Sequence, residues 1–218
     1  MRLPLIFAAV LAALPASAEV VNKSVGGMKA RFDFADGLAG FNTIDTFLRL
    51  DAMETAEDYA AEKALGFRLT DRATRRDGRY VSVLRRTEAD IGGAQPNIYV
   101  TAFAWDTATQ DFIRLDHFFD PGAARDEALI AISHHLRTQI RQRIWGGKPA
   151  PAFLPLIEQA TNPDAAVLSN FTMNGAAGLT FHYSPYEVAP YARGAIAVDV
   201  PTSVFSAWLN AQGREAFR

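Results

Sequence analysis

Not one cysteine occurs among the 218 residues. Disulfides, thiolate metal sites, a catalytic thiol and lipid attachment at an N-terminal cysteine are all excluded. This constraint matters because the chain begins like an exported one. Arg2 is a short basic start, Leu3 to Leu14 an apolar run, Pro15 a helix stop, and Ala16-Ser17-Ala18 a small-residue peptidase site. The run is shorter than the roughly 20 residues that span a bilayer. Residues 1–18 therefore read as a cleaved signal peptide, leaving a periplasmic or secreted chain that starts at Glu19, is soluble and carries no transmembrane anchor. Without cross-links such a chain must be held by its core. A domain of this size buries about 70% of its unfolded surface, and 49% of the residues are hydrophobic.

Charge narrows the partners. The 22 basic and 24 acidic residues nearly cancel, so electrostatics gives no case for binding nucleic acid or an anionic membrane.

Along the chain, Val20, Val21 and Val25, then the alternation Ala30, Phe32, Phe34, predict one or two strands. A helix is expected from Met53 to Leu65, with Asp51 as N-cap, Glu54 completing a capping box and Gly66 just past the end. Tyr80 to Thr87, Asn97 to Trp105 and Phe112 to Leu115 read as an antiparallel meander with turns at Arg76-Asp77-Gly78, Gly92-Gly93 and Asp106-Thr107. Asp120-Pro121 opens a long helix that ends at Gly146-Gly147, with Leu129, Ile132, Leu136, Ile140 and Ile144 as its core stripe. A second helix is expected from Phe153 to Ala160. Strands Val167 to Met173, Leu179 to Ser184 and Gly194 to Val200 follow, with a closing helix from Thr202 to Trp208. Strands grouped apart from helices predict an α+β fold: antiparallel sheets with a few helices packed on one face. Lys148-Pro149-Ala150-Pro151 divides residues 19–147 from residues 148–218, two intimately associated subdomains.

Two blocks carry a family resemblance. Gly92-Gly93-Ala94-Gln95-Pro96-Asn97, with Trp105-Asp106, Leu115-Asp116 and Phe118-Phe119, resembles the PdaC-type region that precedes a peptidoglycan deacetylase domain. Gly178 to Phe181, Tyr186 to Gly194 and Val200-Pro201 resemble the domain shared with RsiV-like anti-sigma factors, whose extracellular part is a lysozyme receptor. The resemblance implies an exported α+β module of the cell envelope, with a lysozyme-like protein or peptidoglycan as partner. It brings no chemistry, because no deacetylase metal motif and no sigma-binding segment is read here. Gln95 also stands where the family has His, and glutamine neither titrates near neutrality nor readily ligates metal.

Tyr183, Tyr186 and Tyr191, with Glu187 and Arg193, cluster in a loop stiffened by Pro185 and Pro190. Two readings are open: an aromatic surface for a sugar ring or a protein, or tyrosines laid over the sheet with hydroxyls bonded to backbone. Gln95 and Asn97 offer hydrogen bonds in the Gly92–Asn97 segment, which reads as either a ligand-facing loop or a glycine bulge. The histidines His117, His134, His135 and His182 show no metal-ligand spacing, and solvated or capping roles are expected for them. His134, Arg137 and Arg141 form a basic stripe whose ordinary reading is a solvated face. With no serine or cysteine nucleophile motif, the sequence gives no catalytic residue, cofactor or metal. A binding module is the leading expectation, and a hydrolase using cleft carboxylates is the alternative.

Expression of the whole chain in a bacterial host should yield periplasmic protein whose intact mass begins at Glu19. A product retaining Met1 in the cytoplasm would overturn the export reading.

Overall fold

The computed structural model describes residues 19–36, 38 and 40–218; the expected signal peptide lies outside them. Strands β1 (Glu19–Val25) and β2 (Met28–Phe34) form a hairpin over Gly26-Gly27, both at positive φ, which suits the twist of a two-residue turn. In β2, Met28, Ala30, Phe32 and Phe34 are buried and Lys29 and Arg31 exposed, the period-two pattern read from the sequence.

Helix α1 (Asn42–Ala61) is continuous and longer than the sequence suggests. Asp51 lies inside it and caps nothing. Its carbonyl accepts from the Thr55 hydroxyl (2.8 Å), and its carboxylate accepts from Arg85 Nη1 (2.5 Å). The left-handed residue after the helix is Lys63 (φ 62°), and Gly66 instead begins β3 (Gly66–Arg76). Ile44, Leu48, Ala52 and Ala56 form the buried stripe of α1 at a spacing of four residues.

Because α1 carries the chain across, β2 and β3 pair in parallel, a connection that needs a dozen or more residues. β4 (Tyr80–Asp90), β5 (Asn97–Asp106) and β6 (Asp111–Phe112) then add the expected antiparallel meander, and the six strands stand in sequence order. β4 sends Val81, Val83 and Arg85 toward α1. Tyr80 and Ser82 take the opposite face, where the other elements pack.

On that opposite face lie α2 (Ala123–Gln139), α3 (Leu154–Ala160) and a three-stranded antiparallel sheet of β7 (Phe171–Met173), β8 (Leu179–Tyr183) and β9 (Ile196–Val200). The long helix starts after Gly122, widens into a π turn at Ile140–Ile144 and stops at Gly146 and Gly147, both at positive φ. Leu129, Ile132, Leu136 and Ile140 are buried. The basic stripe is not simply solvated: Arg137 and Arg141 both pair with Glu158 on α3 (3.0 and 2.7 Å). Gly178 (φ 109°) is obligatory, since a Cβ there would lie 2.3 Å from the Val200 carbonyl oxygen. The expected closing helix is two short 3-10 turns, Thr202–Val204 and Ser206–Trp208. A further helix, α4 (Ala211–Ala216), follows, with the Asn210 side chain accepting from Gly213 N at 2.8 Å.

The chain is thus α+β, with a mixed six-stranded sheet, a three-stranded antiparallel sheet and four α-helices among the described residues. Its largest hydrophobic cluster runs from Tyr80 and Leu129 to Phe171 and Phe217, drawing on both sides of residue 147.

The two sheets are joined by side chains. Asn170 Nδ2 donates to the carbonyls of Val100 (2.9 Å) and His182 (2.8 Å), and its Oδ1 accepts from Ala102 N (2.7 Å). Removing it leaves three enclosed backbone groups unpaired, each costing about 1–3 kcal/mol. Asn170→Ala should therefore lose about 3–5 kcal/mol in urea denaturation; a loss below about 1 kcal/mol would contradict this role.

Candidate functional site

The loop after β8 is the part of the sequence read as a site, and the structure divides its residues between two faces. Tyr186 is 61% exposed and sits at φ 73°, a conformation that costs a non-glycine residue energy. A turn holds it there: Tyr186 N donates to Ala189 O (3.0 Å) and Glu187 N to Ser184 O (3.2 Å). Its ring lies 5.7 Å from that of half-buried Tyr191, tilted by 44°. Tyr191 in turn donates its hydroxyl to Pro96 O (2.8 Å). The two blocks singled out in the sequence thus meet, with Gln95 exposed and Asn97 half-buried in the second. Gly92–Pro96 is the loop that connects β4 and β5, and Gly92 N donates to Asp90 Oδ1 (2.9 Å). Arg193 is exposed at the far end of the loop.

Tyr183 belongs elsewhere. It is 5% exposed, and its enclosed hydroxyl has no hydrogen-bond partner among the described residues. Burial pushes its pKa well up, and the Glu187 charge adds to this. Together with Ser169, Asn170, His182 and Glu187 it lines a partly open cleft of about 250 Å³, with Leu168 and Phe181 in its apolar wall. Glu187, exposed as a residue, turns its carboxylate back so that Oε2 accepts from Ser184 N (2.8 Å). Lost hydration raises its pKa, with the Ser184 amide pulling the other way.

His182 corrects the sequence reading, which placed all four histidines in solvated or capping roles. It is 8% exposed, with Nε2 2.9 Å from Thr172 Oγ1. Burial lowers its pKa to about 4, against a smaller upward pull from Asp199. β8 is buried on both faces beneath the loop and helices, so alternation could not reveal it. Asn170 and Ser184 escaped notice for the same reason, being polar groups that serve backbone rather than any motif. No group of three His, Asp or Glu side chains among the described residues is placed to hold a metal ion. No helix among the described residues is long and apolar enough to cross a membrane.

Residues 116–203, which contain the cavity and the tyrosine loop, match the model of a family described as "Protein of unknown function (DUF3298)". Two solved structures of DUF3298 proteins share the fold. One, from Pseudomonas aeruginosa PAO1, superposes with TM-score 0.63 over 90% of this chain and 95% of its own at 12% identity. The other, from Bacteroides fragilis, gives 0.57 over 91% and 94% at 16% identity. A protein of Mycobacterium tuberculosis named an esterase is 31% identical over 122 residues, 56% of this chain. The match spans about half (49%) of that protein's length.

The histidine yields a pH prediction. Between pH 6.5 and about 4 the unfolded chain takes up a proton that the folded chain refuses, so His182 lowers stability as pH falls through that window. The contribution is about 3 kcal/mol at most. Glu187, whose pKa is raised, works in the opposite sense, so the quantity to measure is the difference between wild type and His182→Gln in urea denaturation. That difference should change by a few kcal/mol between pH 7 and 4; a constant difference would contradict the burial argument.

Proposed function

We propose that the chain is an exported binding module of the cell envelope that holds a glycan, peptidoglycan in the first instance, against the Tyr186–Tyr191 pair. The observation that carries this reading is the exposed ring of Tyr186, kept on left-handed backbone and set against a second tyrosine whose hydroxyl is tied to the neighbouring loop. The apolar C–H face of a sugar ring can lie on such a surface, while its hydroxyls reach Arg193, Gln95 and Asn97. Holding the rings in place before binding reduces the entropy lost on association. The RsiV-like and PdaC-type resemblance supports the envelope setting and supplies a lysozyme-like protein as the competing partner.

Calorimetric titration of the mature protein with soluble disaccharide-peptide fragments should give saturable binding. Tyr186→Ala should weaken it at least tenfold, about 1.4 kcal/mol, with the fold retained. Absence of heat with the fragments, together with a complex on mixing with lysozyme, would replace the glycan by a protein.

A second reading, a hydrolase, is favoured by the match to a protein named an esterase and by the Glu187 carboxylate at the cavity. It requires hydrolysis of p-nitrophenyl butyrate or of peptidoglycan that saturates with substrate and is lost in Glu187→Gln. A rate equal to that in buffer ends it.

A further inference from the structure

The face of the six-stranded sheet that carries α1 holds a groove of about 380 Å³, within the range of about 300–1,000 Å³ usual for small-molecule sites. Three stripes of side chains build it. Asp51, Thr55 and Tyr59 recur at every fourth position of α1 and so share one helix face. Arg85 and Thr87 alternate along β4, with Thr101 and Tyr99 directly opposite them on β5. Phe103 continues the β5 stripe. All of these residues lie outside the stretch 116–203 that matches the family model.

The groove is lined mainly by hydroxyls. Thr55 donates its own to Asp51 O (2.8 Å) and can still accept. Thr87 is 6% exposed, yet its hydroxyl makes no hydrogen bond among the described residues and is not one of the enclosed polar atoms. It therefore opens onto the groove. The hydroxyl of exposed Thr101 has no hydrogen bond among the described residues either. Burial raises the pKa of Tyr59, and the neighbouring Tyr99 hydroxyl adds to it, so the two phenols meet where α1 faces β5. Asp51 gives Oδ2 to Arg85 and keeps Oδ1 available. Arg85 commits its N–H groups to Asp71, Asp51 and the Leu48 carbonyl, except for one Nη1 proton.

This set discriminates among ligand classes. An anion finds its countercharge taken, because Arg85 is already paired with Asp51 and Asp71. A quaternary ammonium needs open aromatic faces. Arg85 lies over the Phe103 ring, 5.2 Å from its centroid, and Tyr59 packs on Phe67 at 5.7 Å. An apolar ligand would seal the Thr87 hydroxyl from water with no partner. A neutral pyranose meets every requirement, since its adjacent hydroxyls can donate to Asp51 and accept from the threonines while its C–H face lies on half-exposed Tyr99. We propose that this groove is a binding site for a neutral sugar residue. It shares no residue with the Tyr186–Tyr191 surface and does not rest on the reading given for that surface.

The test is an amide chemical-shift titration of residues 19–218 with methyl glucoside, methyl galactoside and methyl N-acetylglucosaminide. Gluconate, choline and cyclohexanol serve as anionic, cationic and apolar controls. At least one glycoside should shift Thr87 and Thr101 saturably and bind about fivefold more tightly than every control. Thr87→Val keeps the shape of the side chain and removes its hydroxyl. It should weaken that glycoside about fivefold, the worth of one ordinary hydrogen bond. Urea denaturation should show no loss of stability in the same variant, because the hydroxyl has no protein partner to lose, and this separates lost binding from lost folding. Thr101→Trp, which fills the groove from an exposed strand position, should abolish binding. Tyr186→Ala should leave it unchanged, so failure here is distinguishable from failure of the tyrosine surface. Saturation by none of the glycosides, tighter binding of any control, or unchanged affinity in Thr87→Val would overturn the proposal.

Discussion

The open edge of β5 is the constraint that the second half of the molecule answers. β6 pairs only with Trp105 and Asp106, so Val100 N–H, Val100 C=O and Ala102 N–H have no strand paired to them among the described residues. An exposed strand edge invites pairing with another chain. Here Asn170 serves as the missing strand, accepting from Ala102 N and donating to Val100 O. Ser184 Oγ takes the Val100 N–H (3.2 Å). Because Asn170 also binds His182 O, the same side chain that covers the edge fixes β8 and, with it, the start of the tyrosine loop.

The other face of the sheet is closed by a different device. Arg85, 3% exposed, donates to both carboxylate oxygens of Asp71 (2.7 Å each), to Asp51 and to the Leu48 carbonyl (2.6 Å). One guanidinium thus binds α1 to β3 and β4. A planar fork of five donors suits such a junction better than a lysine would. Burying these charges is costly unless every partner is present, so the network fixes where α1 sits more than it adds stability. Together the Asn170 and Arg85 junctions do, without cysteine, the positioning that cross-links do in disulfide-bonded proteins.

These junctions also explain what the sequence could and could not reveal. The meander, the core stripe of α2 and the hairpin alternation of β2 were legible, because each is a local pattern of apolar residues at a fixed period. β3 was not: Arg68, Asp71, Arg72, Arg75 and Arg76 make GFRLTDRATRR look like a loop. It is a strand because it pairs with β2 and β4, burying Phe67 and Leu69 and bringing Asp71 to Arg85, fourteen positions away. Asp51 looked like a helix cap for the related reason that its tertiary partner lies on another element. In the site, the proline-framed tyrosines could be picked out by composition. The inward turn of Tyr183 and the burial of His182 depend on what covers β8, which no local period reports.

The tyrosine loop shows how these constraints reach the candidate site. Val188 and Ala189 are buried at its centre, Trp145 Nε1 donates to Val188 O (3.1 Å), and Tyr191 is tied to Pro96. Pinned at middle and end, the loop keeps Tyr186 on backbone that a free chain would leave. It also holds Glu187 with its carboxylate turned inward, so one segment presents an outward aromatic face and an inward polar wall. Trp145, Asn170, His182 and the whole loop fall within residues 116–203, the stretch that matches the family model. The six-stranded sheet, outside that stretch, supplies the edge and the Pro96 carbonyl on which the arrangement rests. Sequence changes in β5 or in the Gly92–Pro96 loop therefore act on the tyrosine loop through its support.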